Sequence, residues 1–271
     1  MSTLPFSATT PTSVSRVGLT ARDAEALATY YRTVVGLQEL SRDGSVITLG
    51  SPSRPLLDIQ SDKNALPDDP RAAGLFHTAF LLPSRADLGR WIQHAIDNKI
   101  QIGGASDHRV SEALYLTDPE GNGIEIYADR PADTWTWSGG EVGMSTERLY
   151  IASVLADVPE GDAGWQGVPE NGVVGHVHLR VGNPVDAEDF WKREFGFDAV
   201  AHYGSAAVFL SSGGYHHHIG ANTWQSAGAG RRKSGLTGLS WVEMRSSEIS
   251  AETVKEDPWG TVIRTVPGLP G

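Results

Sequence analysis

No cysteine occurs among the 271 residues. That removes disulfides, thiolate metal sites and cysteine nucleophiles, and leaves histidine and carboxylate as the strong ligands available. Nor is there an apolar run of 18 residues, the length a membrane-spanning helix needs. The opening MSTLPFSATTPTS has no basic region followed by an apolar stretch, so the chain reads as cytoplasmic. Positive charge is also scarce: 22 Lys and Arg stand against 33 Asp and Glu, a formal net charge of −11. Arg231-Arg232-Lys233 is the only basic cluster, so neither nucleic acid nor an anionic membrane surface is expected as a partner. The expected partner is a small molecule, and self-association into a homo-oligomer is left open.

What is present is turn chemistry and repetition. The 31 Gly and 15 Pro argue for many turns rather than long helices. Four segments open on a short alternating apolar strand, from Arg16 (RVGLTARDAEALATYY), Gly74 (GLFHTAFLLPSRADLG), Gly175 (GHVHLRVGNPVDAEDFW) and Gly235 (GLTGLSWVEM). The first three lead into a helix and then strands, so each segment reads as the start of a βαβββ unit, the fourth without a full helix. In the second and fourth, Asp-Pro-x-Gly at 118–121 and 257–260 feeds the last strand. The units divide as a first pair over 14–130, a linker over 131–171 rich in Gly, Pro, Asp and Trp, and a second pair over 172–266 whose last unit is degenerate.

This order of strands, helices and turns resembles the vicinal oxygen chelate superfamily of glyoxalase I, bleomycin-resistance proteins and extradiol dioxygenases. The resemblance implies an α+β fold in which four βαβββ units form two cupped mixed sheets. It also places candidate metal ligands on the first and last strand of each unit. Those positions hold Arg16 and Asp58, His77 and Glu125, His176 and His218, and Gly238 and Arg264. Arginine has no acceptor atom and glycine no side chain, so units one and four cannot build a site between them. Units two and three together hold three histidines and a glutamate. The inference is that unit two pairs with unit three, within one chain or across a dimer, while one and four form a structural cup.

The most specific stretch is HRVSEALYLTDPEGNGIE at 108–125. A His, then an apolar-Tyr pair, then Asp-Pro-x-Gly and Glu resembles the signature of extradiol ring-cleavage dioxygenases. Ser106 is a small departure, where the pattern has Gly, Asn, Thr or an aliphatic residue. The resemblance implies an Fe(II) site, with Mn(II) as the other candidate ion, formed by His77, Glu125 and His176. It leaves three positions open for a catechol and O2 as co-substrate. It further implies His218 as acid/base, with Tyr115 and His108 on the substrate oxygens. In two-domain extradiol enzymes the unit bearing the first His precedes the unit bearing Tyr and Glu, and here that order is exchanged.

The triplet His216-His217-His218, a third of the nine histidines, is read as a strand. Alternation then turns His218 to the cup, makes His216 pocket wall and points His217 away. His178 shares the His176 face and is a candidate lining residue, whereas His94 and His202 read as structural or exposed. A glyoxalase-like isomerase or lyase would instead use His77, Glu125, His176 and His218 as four ligands. A binding module without chemistry would use the eight Trp to line an aromatic cleft.

Overall fold

The computed structural model describes residues 3–268. The first unit is β1 (Thr12–Ala21), α1 (Ala24–Tyr30), β2 (Gln38–Asp43), β3 (Val46–Ser51) and β4 (Arg54–Ser61). The second is β5 (Gly74–Leu81), α2 (Arg85–Asp97), β6 (Gly104–Asp107), β7 (Ser111–Thr117) and β8 (Gly123–Asp129). A connection with β9 (Trp137–Ser138), β10 (Glu141–Val142), β11 (Glu147–Arg148) and α3 (Ile151–Leu155) leads to the third unit. That unit is β12 (Val173–Arg180), α4 (Pro184–Phe195), β13 (Asp198–Tyr203), β14 (Ala207–Ser211) and β15 (Ile219–Asn222). The fourth has β16 (Gly238–Ser246), β17 (Thr253–Glu256) and β18 (Val262–Pro267), with no helix between its first two strands.

The helices begin and end where local chemistry dictates. Asp23, Ser84 and Asn183 accept hydrogen bonds from backbone N–H groups of α1, α2 and α4, and Pro184 occupies the first turn of α4. Gly196 ends α4 at φ +64°. Each long helix buries one stripe, Leu88, Trp91, Ile92 and Ala95 on α2, and Ala187, Phe190 and Trp191 on α4. α2 packs against β8, and α4 against β13, β14 and β15. Both Asp-Pro-x-Gly turns are built alike: Asp118 Oδ1 accepts from the N–H groups of Glu120 and Asn122, and Asp257 Oδ1 from those of Trp259 and Thr261.

The strands assemble crosswise. One sheet runs β17-β18-β16-β1-β4-β3-β2 and joins units four and one through the antiparallel pair β1–β16. The other runs β11-β6-β7-β8-β5-β12-β15-β14-β13 and joins units two and three through β5–β12. The pairing is therefore made within one chain, and each sheet takes one unit from each half of the sequence. The segment read as a surface linker does more than connect. Its β11 adds an edge to the second sheet, and Trp135 and Val142 are buried with Tyr215 in a small cluster of their own.

In the first sheet the Arg16 guanidinium occupies the cup where ligands would meet. It pairs with Asp58 at 3.3 Å and Glu243 at 2.8 Å, and it lies, like Arg264, over the Trp241 ring. A fixed organic cation there pairs with two carboxylates.

Candidate metal centre

The second sheet is centred on β12 and β5, strands buried on both faces, so their histidines are forced into the interior. Register fixes who meets whom: His178 lies opposite His77, and Glu125 on β8 lies opposite Tyr115 on β7. A bulge between Val174 and His176 turns His176 to the concave side. That bend requires Gly175, because a Cβ there would stand 1.8 Å from the Tyr127 hydroxyl.

His77, Glu125 and His176 converge. The two imidazole Nε2 atoms are 3.3 Å apart, and Glu125 Oε2 is 2.9 Å from His77 Nε2 and 3.1 Å from His176 Nε2. All three residues are at most 5% exposed. Three neighbouring corners of an octahedron with metal–ligand distances of about 2.1 Å are separated by about 3.0 Å. The three donors therefore already have the spacing of one face of a six-coordinate ion, and their nitrogen and oxygen chemistry suits a divalent transition metal. Among the described residues this is the one such group of His and carboxylate donors within ligand distance of one another.

Electrostatics agree with that use. Burial alone would raise the Glu125 carboxyl, but His176 and His77 outweigh it and hold it well below the ordinary carboxylate range. Burial pushes the His176 imidazole down to about 4 despite the pull of Glu125, and pushes His178 well below the usual range too, aided by His77. Glu125 is thus held as a carboxylate and His176 as a neutral imidazole, the protonation states metal binding requires of them.

His108 and Tyr115 meet beside the three donors. His108 Nδ1 lies 2.6 Å from the Ser145 carbonyl and must carry the proton, so its Nε2 accepts from the Tyr115 hydroxyl at 2.6 Å. Burial, reinforced by Glu125, holds the Tyr115 pKa well above 10. The Tyr115 ring stands 5.7 Å from that of His77. Ser145 belongs to the connecting segment, and no motif marks it in the sequence.

The histidine triplet is where expectation and structure part. His218 does not face the three donors. Its Nε2 is bound at 2.9 Å to the Ser7 carbonyl and 3.1 Å to Thr10 Oγ1, its Nδ1 is near Ser211, and burial pushes it to about 3. His217, expected to point away, packs its ring 4.1 Å from His176 and 5.0 Å from Phe209. The reason is local: residues 212–218 form turns, and β15 begins only at Ile219. Strand alternation does not operate there. Consequently the four-ligand set with His218 is not assembled. His216, fully buried, bonds Asp129 rather than lining the cup wall.

The His178 ring lines the cup, T-shaped on His77 at 5.0 Å, beside Phe76 and the half-exposed Trp224. It lies flat on Gly220, where a Cβ would come within 2.7 Å of it, and its Nε2 has no hydrogen-bond partner. His94 bonds the Thr33 carbonyl at the surface and His202 sits between Glu141 and Glu188, both far from this chemistry.

Comparison with known proteins points the same way. The pattern of the Glyoxalase/Bleomycin resistance protein/Dioxygenase superfamily matches residues 13–126. The chain is 38% identical over 234 residues to a catechol-2,3-dioxygenase of Bacillus subtilis, covering 85% of this chain and 81% of that one. It is 32% identical over 103 residues to biphenyl-2,3-diol 1,2-dioxygenase 3 of Rhodococcus globerulus, 34% of this chain and 54% of that one. Glyoxalase I of Zea mays shares the fold, with a TM-score of 0.57 at 11% identity over 94% of this chain and 92% of that one.

Proposed function

Since the chain belongs to the glyoxalase/bleomycin resistance/dioxygenase superfamily, we propose that it is an Fe(II)-dependent extradiol dioxygenase opening a catechol-type ring with O2. The observation that carries this reading is the convergence of His77, Glu125 and His176 next to the His108–Tyr115 pair. The relationship to a catechol-2,3-dioxygenase supports the same class of reaction and substrate. Among the described residues no helix is long and apolar enough to cross a membrane.

His77, Glu125 and His176 would hold the ion. Bound there, Fe(II) supplies Lewis acidity toward two adjacent phenolic oxygens and the redox chemistry that O2 requires. The protein's own groups divide the remaining work. Tyr115 keeps its proton, given to His108 Nε2, and its oxygen can accept a hydrogen bond from a substrate hydroxyl. His217, whose ring packs tilted against His176, takes the position first expected of His218. A neutral imidazole there accepts the proton of a substrate hydroxyl and returns it as the ring opens. Phe76, Phe209 and Trp224 wall the cup with aromatic surface suited to a planar ring.

The test is direct. Protein reconstituted anaerobically with Fe(II), given catechol and then air, turns yellow as the ring-open semialdehyde forms. No turnover across a panel of catechols with one iron per chain refutes the proposal, and full turnover with Mn(II) in place of iron reassigns the ion. His217→Ala keeps iron and loses turnover, whereas His218→Asn keeps both.

A further inference from the structure

Behind His217 lies a run of polar groups that the proposed reaction does not itself require. His217 Nδ1 is 2.8 Å from His216 Nδ1, and His216 Nε2 is 2.9 Å from Asp129 Oδ1. The same carboxylate oxygen accepts from the Tyr215 hydroxyl at 3.1 Å, and Tyr215 in turn is 2.8 Å from the Tyr127 hydroxyl. His216, Tyr215 and Tyr127 are fully buried, and Asp129 retains 17% side-chain exposure. The chain of contacts thus runs from the cup to the protein's edge through residues of β8 and the turn before β15.

Hydrogen-bond polarity along this chain leaves little freedom. A carboxylate only accepts, so His216 Nε2 carries the proton. With that single proton on the ring, His216 presents a lone pair at Nδ1, and the close Nδ1–Nδ1 approach then demands that His217 Nδ1 donate. A neutral His217 so arranged has a bare Nε2, and no described residue hydrogen-bonds that atom. A swap of either tautomer would leave two protons or two lone pairs facing each other across 2.8 Å.

We propose that Asp129, acting through His216, is a positioning residue that fixes His217 as its Nδ1–H tautomer and leaves Nε2 free as the proton acceptor in the cup. This rests on the assignment of His217 as the acid/base. It gives the triplet three separate uses: His218 anchors the N-terminal segment through Ser7 and Thr10, His216 transmits polarity, and His217 faces the site. Asp129 and His216 are 87 residues apart in sequence, and the crosswise pairing of units two and three is what brings them together.

The experiment is long-range ¹H–¹⁵N correlation of the histidine rings in metal-free protein, with His216 and His217 assigned by single substitution. The expected result is Nδ1–H for His217 and Nε2–H for His216. Nε2–H for His217 in the native protein overturns the proposal without any variant. In Asp129→Asn the His217 signals move toward the Nε2–H or mixed pattern. With iron loaded, kcat falls at least about tenfold while KM and iron content hold, and by no more than the roughly 10²–10⁴-fold that a general base contributes. Unchanged tautomer and kcat in that variant also overturn it. If His217→Ala keeps full turnover while the native tautomers are as stated, the catalytic reading fails and the positioning chain stands.

Discussion

Gly175→Ala tests the geometry of the site at its tightest point. The added methyl would lie 1.8 Å from the Tyr127 hydroxyl, 2.8 Å from Tyr127 Cζ and 3.1 Å from Leu81 Cβ. Ordinary contact begins at 3.4 Å, so the phenol must retreat by about 1.6 Å. Tyr127 is fully buried and its hydroxyl is committed to Tyr215. Overpacking a core costs about 1–3 kcal/mol, and losing a buried hydrogen bond about 1–3 kcal/mol more. The expected loss is therefore about 2–6 kcal/mol, a large part of the ~5–15 kcal/mol that holds a domain together. Urea unfolding of the metal-free protein measures it. Combining Gly175→Ala with Tyr127→Phe removes the nearest clashing atom, so the double variant should be more stable than the sum of the two losses by about 1 kcal/mol or more. A loss below about 1 kcal/mol for Gly175→Ala, or strict additivity, would show that the bulge does not position His176 as described.

Four further outcomes follow from named contacts. Metal analysis should find one ion per chain, abolished by Glu125→Ala or His77→Ala and untouched by Arg16→Met. The last variant should instead lose about 1–3 kcal/mol of stability, because Asp58 and Glu243 are left without their partly buried partner. His218 should govern acid sensitivity. Burial lowers its folded pKa to about 3 from an ordinary 6.5, so the stability it contributes is complete above pH 6.5 and is lost as pH falls toward 3. His218→Asn should flatten that part of the stability–pH curve by up to about 5 kcal/mol in urea melts. His178→Leu should leave thermal stability unchanged or raised by about 1 kcal/mol, since it removes a buried ring nitrogen with no partner. A clear loss of stability would show that Nε2 is satisfied in solution.

The site was most legible where the chain is regular. His77, Glu125 and His176 sit on β-strands whose alternation and buried faces could be read from the residues, and the Asp118-Pro119-Glu120-Gly121 turn set the register of Glu125 opposite Tyr115. The crosswise assembly was readable for a chemical reason: Arg16, Gly238 and Arg264 offer a metal nothing. Where periodicity stops, so did the reading. The triplet lies in turns, and a period-two argument assigned His217 and His218 to the wrong sides. Ser145 and Trp135 were invisible because a loop residue's partner depends on tertiary placement that leaves no pattern in sequence. Asp129 ends β8 without any motif, and its significance appears only once His216 is brought against it.

The pairing of β1 with β16 has a consequence for how the molecule is made. Thr12 and Ser246 lie side by side yet are separated by 234 residues, so at roughly 5–20 residues per second β1 waits on the order of 10–50 s for its neighbour to be synthesised. During that interval the first unit carries an open strand edge, and the second sheet, nested between its sequence neighbours, can close first on β5–β12. Chains halted before Gly235 should therefore hold a formed second sheet beside an unfinished first one, prone to pair with a second nascent copy.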